Sequence, residues 1–357
     1  MVATRTTKRI IRLEPTDVFI YIIGALIVFV VVIGSIATLS QGRYSINAWV
    51  DLFVFGVTLG SIYSLIALGY TMVYGILRMI NFAHSEVFMS GPFTAYFLAE
   101  AFSRSGFINQ SPVIALILIF ALSMGTSVLI AVLIERIAYR PLRNAPRLVP
   151  LITAIGASFF LQYMFRGLYG TNIKVYPEIE ALKGQIALDA FRISYIQILV
   201  IVAAAAMMLG LHLFVQKTRT GKAMRAVAED RSTAALMGIN VNNIIVTTFI
   251  LGGALAGAAG VLYALVFTQV HFFMGFIPGI KAFTAAVLGG IGNIPGAMLG
   301  GLFLGIIESL GPTLFLDGLG ITAPYQLKDA IAFSLLVLVL IFRPTGILGE
   351  RIREKKA

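Results

Sequence analysis

The sequence predicts an all-α fold, namely a polytopic transmembrane helical bundle with broken or re-entrant helices. Of its 357 residues, 59% are hydrophobic and 12% are charged, whereas roughly 25% of a soluble domain is charged. Several uncharged runs reach the ~20 residues that an α-helix needs to cross a membrane. The alternating strands of ~10 residues that are typical of an outer-membrane barrel are absent from the sequence.

The uncharged apolar runs give the order of the predicted membrane segments. They are separated by short polar or charged stretches, as expected for helices that cross and recross a bilayer. The runs are Val18–Leu39, Leu52–Leu77, Val87–Ala99, Pro112–Ile134, Leu148–Phe165, Ile193–Gln216, Asn240–Ile280, Ala282–Ile307 and Ala330–Phe342.

Basic residues between these runs predict the orientation, because Lys and Arg collect in cytoplasmic loops. They concentrate before the first run, in Glu135–Arg147, in Lys217–Arg231 and at the C-terminal end. We therefore expect both termini in the cytoplasm. The loops expected outside are those around Arg43, Arg104 and His271, and the mixed-charge stretch Thr171–Arg192.

Three regions are predicted along the chain. Residues 1–45 hold a basic cytoplasmic segment and an extra first span, whose 22 uncharged residues exceed the 7–15 residues typical of a signal peptide. Residues 46–350 form the main membrane domain. Residues 351–357 form a cytoplasmic tail.

Two interruptions mark the main domain. The first is the polar stretch Arg78–Glu86, and the second is the glycine-rich stretch Gly289–Gly296, which also holds Pro295. Non-helical backbone at membrane depth is tolerated only where protein buries it or water lines it. Paired interruptions point to a transporter's binding site, so we expect the two breaks to face each other across a water-accessible cavity near the middle of the membrane.

Four pairs of glycines have the GxxxG spacing that lets helices approach closely. We interpret them as packing within the subunit, and a seam between two copies is the alternative. The pairs are Gly56/Gly60, Gly253/Gly257, Gly296/Gly300 and Gly301/Gly305.

Several kinds of chemistry are excluded or disfavoured. There is no cysteine, which removes disulfides and thiol catalysis. No phosphate-binding loop of the form GxxxxGK[ST] is present, so the chain does not bind ATP by that device. The three histidines are far apart in sequence, which disfavours a metal site. The net charge of +11 is the expected excess in cytoplasmic loops and not a nucleic-acid surface.

The polar segment between the sixth and seventh runs predicts a short helix outside the membrane. Residues Lys222 to Met237 are mostly strong helix formers, and Gly238 is placed to end the helix. Charges of both signs suit recognition at a polar interface. A partner-docking helix and a solvated loop are both compatible with this pattern.

This segment and three other stretches resemble the branched-chain amino acid permeases of ABC transporters, in particular the H-type permease of the Liv system. The segment from Arg225 to Asn240 reads RAVAEDRSTAALMGIN and is similar to the ATPase-docking element of those permeases. The other stretches are NFAH with Glu86, KAFTAAVLGGIG followed by IPGAMLGG and Glu308, and the loop IERIAYRPLR (Ile134–Arg143) together with the ending RPTGILG. The resemblance covers roughly Trp49 to Gly349.

The resemblance implies a permease subunit, not an enzyme, in a bacterial inner membrane, importing leucine, isoleucine or valine. Implied partners are a second, M-type permease subunit, two cytoplasmic ATPase subunits and an external substrate-binding protein. The ATPase subunits would use ATP, and this chain would bind no cofactor. A helix over 222–238 would couple to the ATPase through Arg225, Glu229, Asp230, Arg231 and Gly238.

Six residues at the two breaks are candidates for the substrate path, because polar and ionisable groups at membrane depth are expensive and usually line an interior pathway. We expect Asn81, His84 and Thr284 to contact the substrate. A polar network that merely holds the break together is the alternative, and Lys281 and Glu308 either pair or reach the interface separately. The six residues are Asn81, His84, Glu86, Lys281, Thr284 and Glu308.

Other functions remain open on the residues alone. A permease of the same class could carry urea, short amides or other amino acids. An ion-gradient transporter would not need the helix over 222–238. A membrane-embedded enzyme would need acids, bases or metal ligands at one depth, and only His84 and Glu86 are available there.

Overall fold

Helices dominate the computed structural model, which describes residues 15–143, 145–146, 148–188, 191–343 and 345–349. Two antiparallel pairs of short strands connect loops: β1 (Lys174–Val175) with β4 (Gln269–Val270), and β2 (Gln185–Leu188) with β3 (Phe191–Ser194). The predicted all-α class is confirmed. The α-helices of the described residues are α1 (Pro15–Gln41), α2 (Ile46–Leu77), α3 (His84–Arg104), α4 (Phe107–Gln110), α5 (Pro112–Ile134), α6 (Leu148–Tyr169), α7 (Tyr195–Lys217), α8 (Arg219–Glu229), α9 (Arg231–Leu236), α10 (Val241–Phe267), α11 (Phe276–Gly289), α12 (Ile294–Gly311) and α13 (Lys328–Phe342).

Eight helical segments of the described residues are long and apolar enough to cross a membrane, which confirms a multi-pass membrane protein. The predicted run Asn240–Ile280 is in fact two elements, because α10 ends where Thr268 takes a left-handed backbone with φ 53°. The predicted tail 351–357 lies outside the described residues. The eight segments are Tyr21–Gln41, Ile46–Leu77, Pro112–Leu142, Leu148–Tyr169, Tyr195–Lys217, Val241–Phe267, Ile294–Leu319 and Pro324–Phe342.

The chain divides into two compact units. The first combines the chain up to Arg43 with Pro312–Leu327, and within it the hydroxyl of Thr38 accepts a hydrogen bond from the backbone N–H of Gly318 at 2.8 Å. The second unit holds residues 44–311 and 328–357 and contains both helix breaks and the segment between α7 and α10.

Polar side chains fix where five helices begin. Each residue lies just before its helix and accepts a backbone N–H from the first turn, which satisfies a group that the helix itself leaves unpaired. These residues are Ser45 before α2, Ser194 before α7, Thr218 before α8, Asp230 before α9 and Asn240 before α10.

Glycines let the helices of the second unit pack backbone to backbone. A Cβ on Gly60 of α2 would lie 2.7 Å from the Cα of Leu302 in α12, and a Cβ on Gly257 of α10 would lie 2.7 Å from the carbonyl oxygen of Ser123 in α5. The other members of the four GxxxG pairs meet neighbouring helices of the same chain in the same way. The interpretation as packing within the subunit is confirmed, and the interpretation as a seam between copies is wrong for these pairs.

Both predicted breaks are present. After α2, Arg78 adopts a left-handed backbone with φ 55°, and the chain runs without helix until α3 begins at His84. Between α11 and α12, Gly290 and Gly292 have φ values of 104° and 99°, which side-chain-bearing residues rarely adopt.

Loops that the charge pattern assigns to one side of the membrane contact each other in the second unit. At one end, Arg143 donates to the side chain of Asn242, and Arg78 donates to the carbonyl oxygen of Ala228 at 3.0 Å. At the opposite end of the same helices, β1 pairs with β4. For these helices of the second unit, the ends therefore group as the charge pattern predicts.

Replacing Gly289 by leucine should destabilise the second unit by about 3 kcal/mol or more, the upper range for overpacking. A side chain there would collide with the backbone carbonyl group of Gly296, and backbone cannot move aside as a flexible side chain can. The measurement is the detergent-solubilised melting temperature together with the monodisperse fraction. Leucine at Gly125, where a Cβ meets nothing within 4 Å, is the control, and a Gly289→Leu variant as stable as that control would contradict the close approach.

Candidate functional site

The break between α2 and α3 places Asn81 and His84 inside the membrane domain. Asn81 is 2% exposed, and its side-chain oxygen accepts a hydrogen bond from the hydroxyl of Tyr139 at 3.0 Å. The ring of His84 lies against Gly69 of α2, where a Cβ would collide with it, and near Gly252 of α10. Its Nε2 atom is buried without a hydrogen-bond partner among the described residues.

Glu86, in the first turn of α3, is fully buried at 0% exposure. Its Oε1 atom accepts hydrogen bonds from Gln162 at 2.8 Å, Ser158 at 3.2 Å and Ser85 at 3.3 Å. Its Oε2 atom has no hydrogen-bond partner among the described residues. All three hydrogen bonds, two of them from α6, go to the same carboxyl oxygen. The other oxygen remains available to a further donor.

Lys281 of α11 is the centre of a buried charge cluster. Its Nζ atom lies 2.7 Å from Oε1 of Glu308 in α12 and 2.6 Å from Oδ1 of Asp329 in α13. It also lies 5.9 Å from the ring centroid of Tyr63 in α2. The Lys281 and Glu308 side chains are 3% and 2% exposed, and that of Asp329 is 41% exposed. The predicted pairing of Lys281 with Glu308 is therefore confirmed. The alternative, in which each side chain reaches the membrane interface separately, is wrong.

The helices α3 and α11 begin next to each other inside the second unit. Neither helix has a side-chain cap at its N-terminus. A Cβ on Gly275, which precedes α11, would collide with the backbone carbonyl of Ser85, and one on Gly279 would collide with the Ser85 side chain. Two uncapped N-termini, each with partial positive charge, are therefore neighbours beside the candidate residues.

Thr284 is buried and donates its hydroxyl hydrogen to the carbonyl oxygen of Ile280 at 2.9 Å. Its neighbour Phe283 packs its ring against Tyr70 and Phe82, which joins α11 to the first break. At Gly75, in the last turn of α2, an added Cβ would lie 3.7 Å from the Cα of Gly292, so the second break lies against the helix end that precedes the first break. All six candidate residues are buried among protein side chains and backbone in this state.

A cavity of about 150 Å³ lies apart from the breaks, between the loop after β1, the start of α7 and the end of α10. Its lining includes Tyr176, Ile179, Ile196, Leu265 and Thr268.

The predicted single helix over 222–238 is wrong, because two helices, α8 and α9, cover this segment. Asp230 separates them in an extended conformation with φ −152° and ψ 112°. Its carboxylate accepts the backbone N–H groups of Ser232 at 2.9 Å and Thr233 at 3.1 Å, so an aspartate that caps the second helix cannot also continue the first. Hydrogen bonds from the Ser232 hydroxyl, then from Thr233, lower the pKa of Asp230 to about 2, and the cap stays ionised near neutral pH.

The other residues of this segment divide between holding the segment in place and facing solvent. Arg225 donates to the side chain of Gln216 at 2.8 Å, and Arg231 donates its Nε hydrogen to the carbonyl oxygen of Ile76 at 3.0 Å. Glu229 is exposed. Gly238 has φ 83°, as expected for the residue that ends a helix.

Leu236 and Met237, at the end of α9, are two residues that the sequence analysis did not single out. They are 87% and 78% exposed and lie in the polar segment outside the candidate spans. Two adjacent exposed apolar side chains outside the apolar spans make the end of α9 a candidate contact surface. Their signal in the sequence is two large apolar residues at the end of a helix that is otherwise charged or small.

Two further polar residues of the site, Asp329 and Gln162, were also missed. Gln162 is a lone polar side chain within an apolar run, and Asp329 is a charged residue at the start of one, which is a recognisable signal. Which partner such a residue meets depends on helix packing, and the sequence does not give that. The described residues hold no group of three or more His, Asp or Glu side chains arranged to bind a metal.

Charged groups inside a membrane domain are costly, and helices broken beside them are typical of transport proteins. The fold and the site together define a polytopic membrane permease. The family model described as "Branched-chain amino acid transport system / permease component" matches residues 52–340, and the chain belongs to this family of transport proteins.

Individual relatives agree with the family. The chain is 47% identical to the high-affinity branched-chain amino acid transport system permease protein BraD of Pseudomonas aeruginosa, over 86% of this chain and 98% of BraD. It is 43% identical to LivH of Escherichia coli, the corresponding permease protein, over 84% of this chain and 95% of LivH. The autoinducer 2 import system permease protein LsrC of Yersinia enterocolitica is 30% identical over 57% of each chain.

Proposed function

We propose that this chain is the membrane-spanning permease subunit of an ABC importer for the branched-chain amino acids leucine, isoleucine and valine. Relatives with 43–47% identity over nearly their whole length are branched-chain amino acid permeases, and this supports the substrate class. The more distant autoinducer 2 permease shares only part of its length with the chain.

The segment α8–α9 is the docking site for a cytoplasmic ATPase subunit in this proposal. The observation that carries it is the pair Leu236 and Met237, exposed in a segment that also holds the exposed charged residue Glu229. Apolar anchors surrounded by polar groups are typical of protein interfaces. The chain has no phosphate-binding loop of its own, so the energy of ATP hydrolysis would come from such a partner.

The complete importer would contain a second, M-type permease subunit, two ATPase subunits and an external substrate-binding protein. The end of the second unit that carries α8–α9 would face the cytoplasm, together with both termini. The end that carries the β1–β4 pair would face the binding protein.

Substrate would pass the two breaks in a state more open than this one. The adjacent N-termini of α3 and α11 suit the carboxylate of an amino acid, since helix N-termini attract anions. Asn81, His84 and Thr284 are the proposed polar contacts. Glu86, Lys281 and Glu308 would line the same path, with carboxyl oxygens available for the substrate's ammonium group.

Competition for uptake tests the substrate class. The permease and its partner subunits are expressed in a bacterial strain without its own branched-chain amino acid importers, and uptake of radiolabelled leucine is measured. Excess unlabelled isoleucine or valine should suppress uptake, and excess urea or acetamide should leave it unchanged. Suppression by urea or acetamide, without suppression by isoleucine and valine, would contradict the proposed substrate.

A further inference from the structure

The ends of α2 and α8 are held together by a reciprocal pair of arginines. Arg231, which follows α8, donates its Nε hydrogen to the carbonyl oxygen of Ile76 in the last turn of α2 at 3.0 Å, and its Nη2 atom bonds to the same oxygen. Arg78, which follows α2, donates from Nη2 to the carbonyl oxygen of Ala228 in the last turn of α8 at 3.0 Å. Arg231, the first residue of α9, thus caps the C-terminus of α2, and Arg78 caps the C-terminus of α8.

This arrangement suits the electrostatics of helix ends. The last carbonyl groups of a helix have no partner within the helix and carry partial negative charge, which favours a guanidinium group. Burial, and then the positive charges of Arg143 and Arg78, lower the pKa of Arg231. The guanidinium group of Arg231 keeps this position despite the nearby positive charges, because it donates to the Ile76 carbonyl oxygen, which has no partner within α2.

The two arginines connect two parts of the chain with different proposed roles. On one side is the junction of α8 and α9 at Asp230, next to the exposed Glu229. On the other side is the break after α2, where Arg78 has a left-handed backbone with φ 55°. Three residues further along this break is Asn81, which bonds to Tyr139.

We propose that Arg78 and Arg231 form a crossed clamp that transmits movement of the α8–α9 segment to the end of α2 and to the break that follows it. The proposal rests on the proposed function, because it takes α8–α9 as the element on which the ATPase acts. Both arginines are positioning residues. A docked ATPase that moves α8–α9 pulls on the end of α2 through two contacts, one from Arg231 to the carbonyl oxygen of Ile76 and one from Ala228 to Arg78. The break carries this displacement to Asn81 and His84.

The test uses the complete complex of the permease with the second permease subunit and the ATPase subunits, reconstituted in liposomes with the binding protein. Leucine uptake and ATP hydrolysis are measured in the same preparation. Arg231→Ala removes both bonds to Ile76. Arg78→Gly removes the bond to Ala228 and keeps a residue that tolerates the left-handed backbone. Arg231→Lys retains a single point donor.

The control is Arg104→Ala, which removes an arginine outside the proposed docking segment and the candidate site. Arg104 lies in the last turn of α3, its side chain is 78% exposed, and it pairs with Glu100 of the same helix. It therefore tests whether loss of an arginine from the chain is harmful in itself.

Arg231→Ala and Arg78→Gly should bind the ATPase subunits normally and still hydrolyse ATP, while leucine taken up per ATP hydrolysed falls by about tenfold, within the range of coupling between two sites. Arg231→Lys should be intermediate, and Arg104→Ala should match the unmodified protein. A ratio unchanged in both Arg231→Ala and Arg78→Gly would overturn the clamp. Loss of ATPase binding in both would also overturn it, because the arginines would then belong to the docking surface. An unmodified permease that binds no ATPase subunit would instead refute the proposed function, and the clamp with it.

Discussion

Replacing Leu236 and Met237 together by aspartate should abolish leucine uptake and reduce co-purification of the ATPase subunits by about tenfold or more, as loss of an interface hot spot does. The two side chains are the most exposed large apolar groups of α8–α9. Docking would bury them, and an aspartate in the same place would bury a charge without a partner. The measurement is recovery of ATPase subunits on the tagged permease, with the amount of permease in the membrane measured alongside.

The matched control is the double replacement of Ile173 and Val175 by aspartate. These residues are also highly exposed, at 61% and 70%, and they belong to the loop that contains β1, at the opposite end of the second unit. The control variant should retain its ATPase subunits. Normal ATPase recovery and normal uptake in the Leu236→Asp/Met237→Asp variant would show that α9 is not the docking element.

Replacing Lys281 by alanine should cost about 3–5 kcal/mol of folding stability, the range measured when one partner of a buried ion pair is removed. The change leaves the carboxyl groups of Glu308 and Asp329 together, with the Glu308 side chain only 2% exposed. Steady-state permease in the membrane and the melting temperature in detergent should both fall clearly. Removing the charge of both partners, as in Lys281→Met with Glu308→Gln, should restore much of the stability, because no buried charge then lacks a partner at this contact.

Lys183→Ala is the control for this effect. Lys183 lies 2.9 Å from Glu178, but both side chains are more than half exposed, so water replaces the lost contact. Its melting temperature should be unchanged. A Lys281→Ala variant as stable as Lys183→Ala would mean that the buried ion pair contributes nothing to holding α11, α12 and α13 together.

The helices of this protein were predictable from the sequence because a bilayer imposes one requirement, which is length without charge. Pro112–Ile134 was predicted to the residue. The two breaks were also predictable, since Arg78 to Ala83 interrupts an apolar pattern with polar groups and the glycines at 289–292 weaken helix continuity.

The break at Asp230 was not predictable in the same way. In composition, the segment Lys222 to Met237 is a good helix throughout, and an aspartate in its middle costs little on average. Here a cap formed by its own side chain, with two backbone N–H groups and two hydroxyl groups as donors, outweighs that average preference. Sequence reasoning assigned Asp230 to a partner interface because its charge was visible and its local hydrogen bonds were not.

Side-chain partners were the least predictable part of the site. The sequence singled out Lys281 and Glu308, but Asp329, the second partner of Lys281, lies 48 positions further along the chain. Arg231 was assigned to docking on account of its charge, whereas its guanidinium group caps α2. These partners are set by the crossing of helices, which depends on glycine contacts such as that of Gly60 with Leu302 and not on any local pattern.

ATP-driven leucine transport in a purified system tests the central proposal most directly. The permease, its second permease subunit and the ATPase subunits are reconstituted in liposomes, with the binding protein on the side of the β1–β4 pair and ATP on the side of α8–α9. Leucine should accumulate on the α8–α9 side only when both ATP and the binding protein are present. Accumulation should persist after proton and sodium gradients are collapsed by ionophores. Accumulation that needs an ion gradient and proceeds without ATP would contradict the assignment as an ABC importer permease.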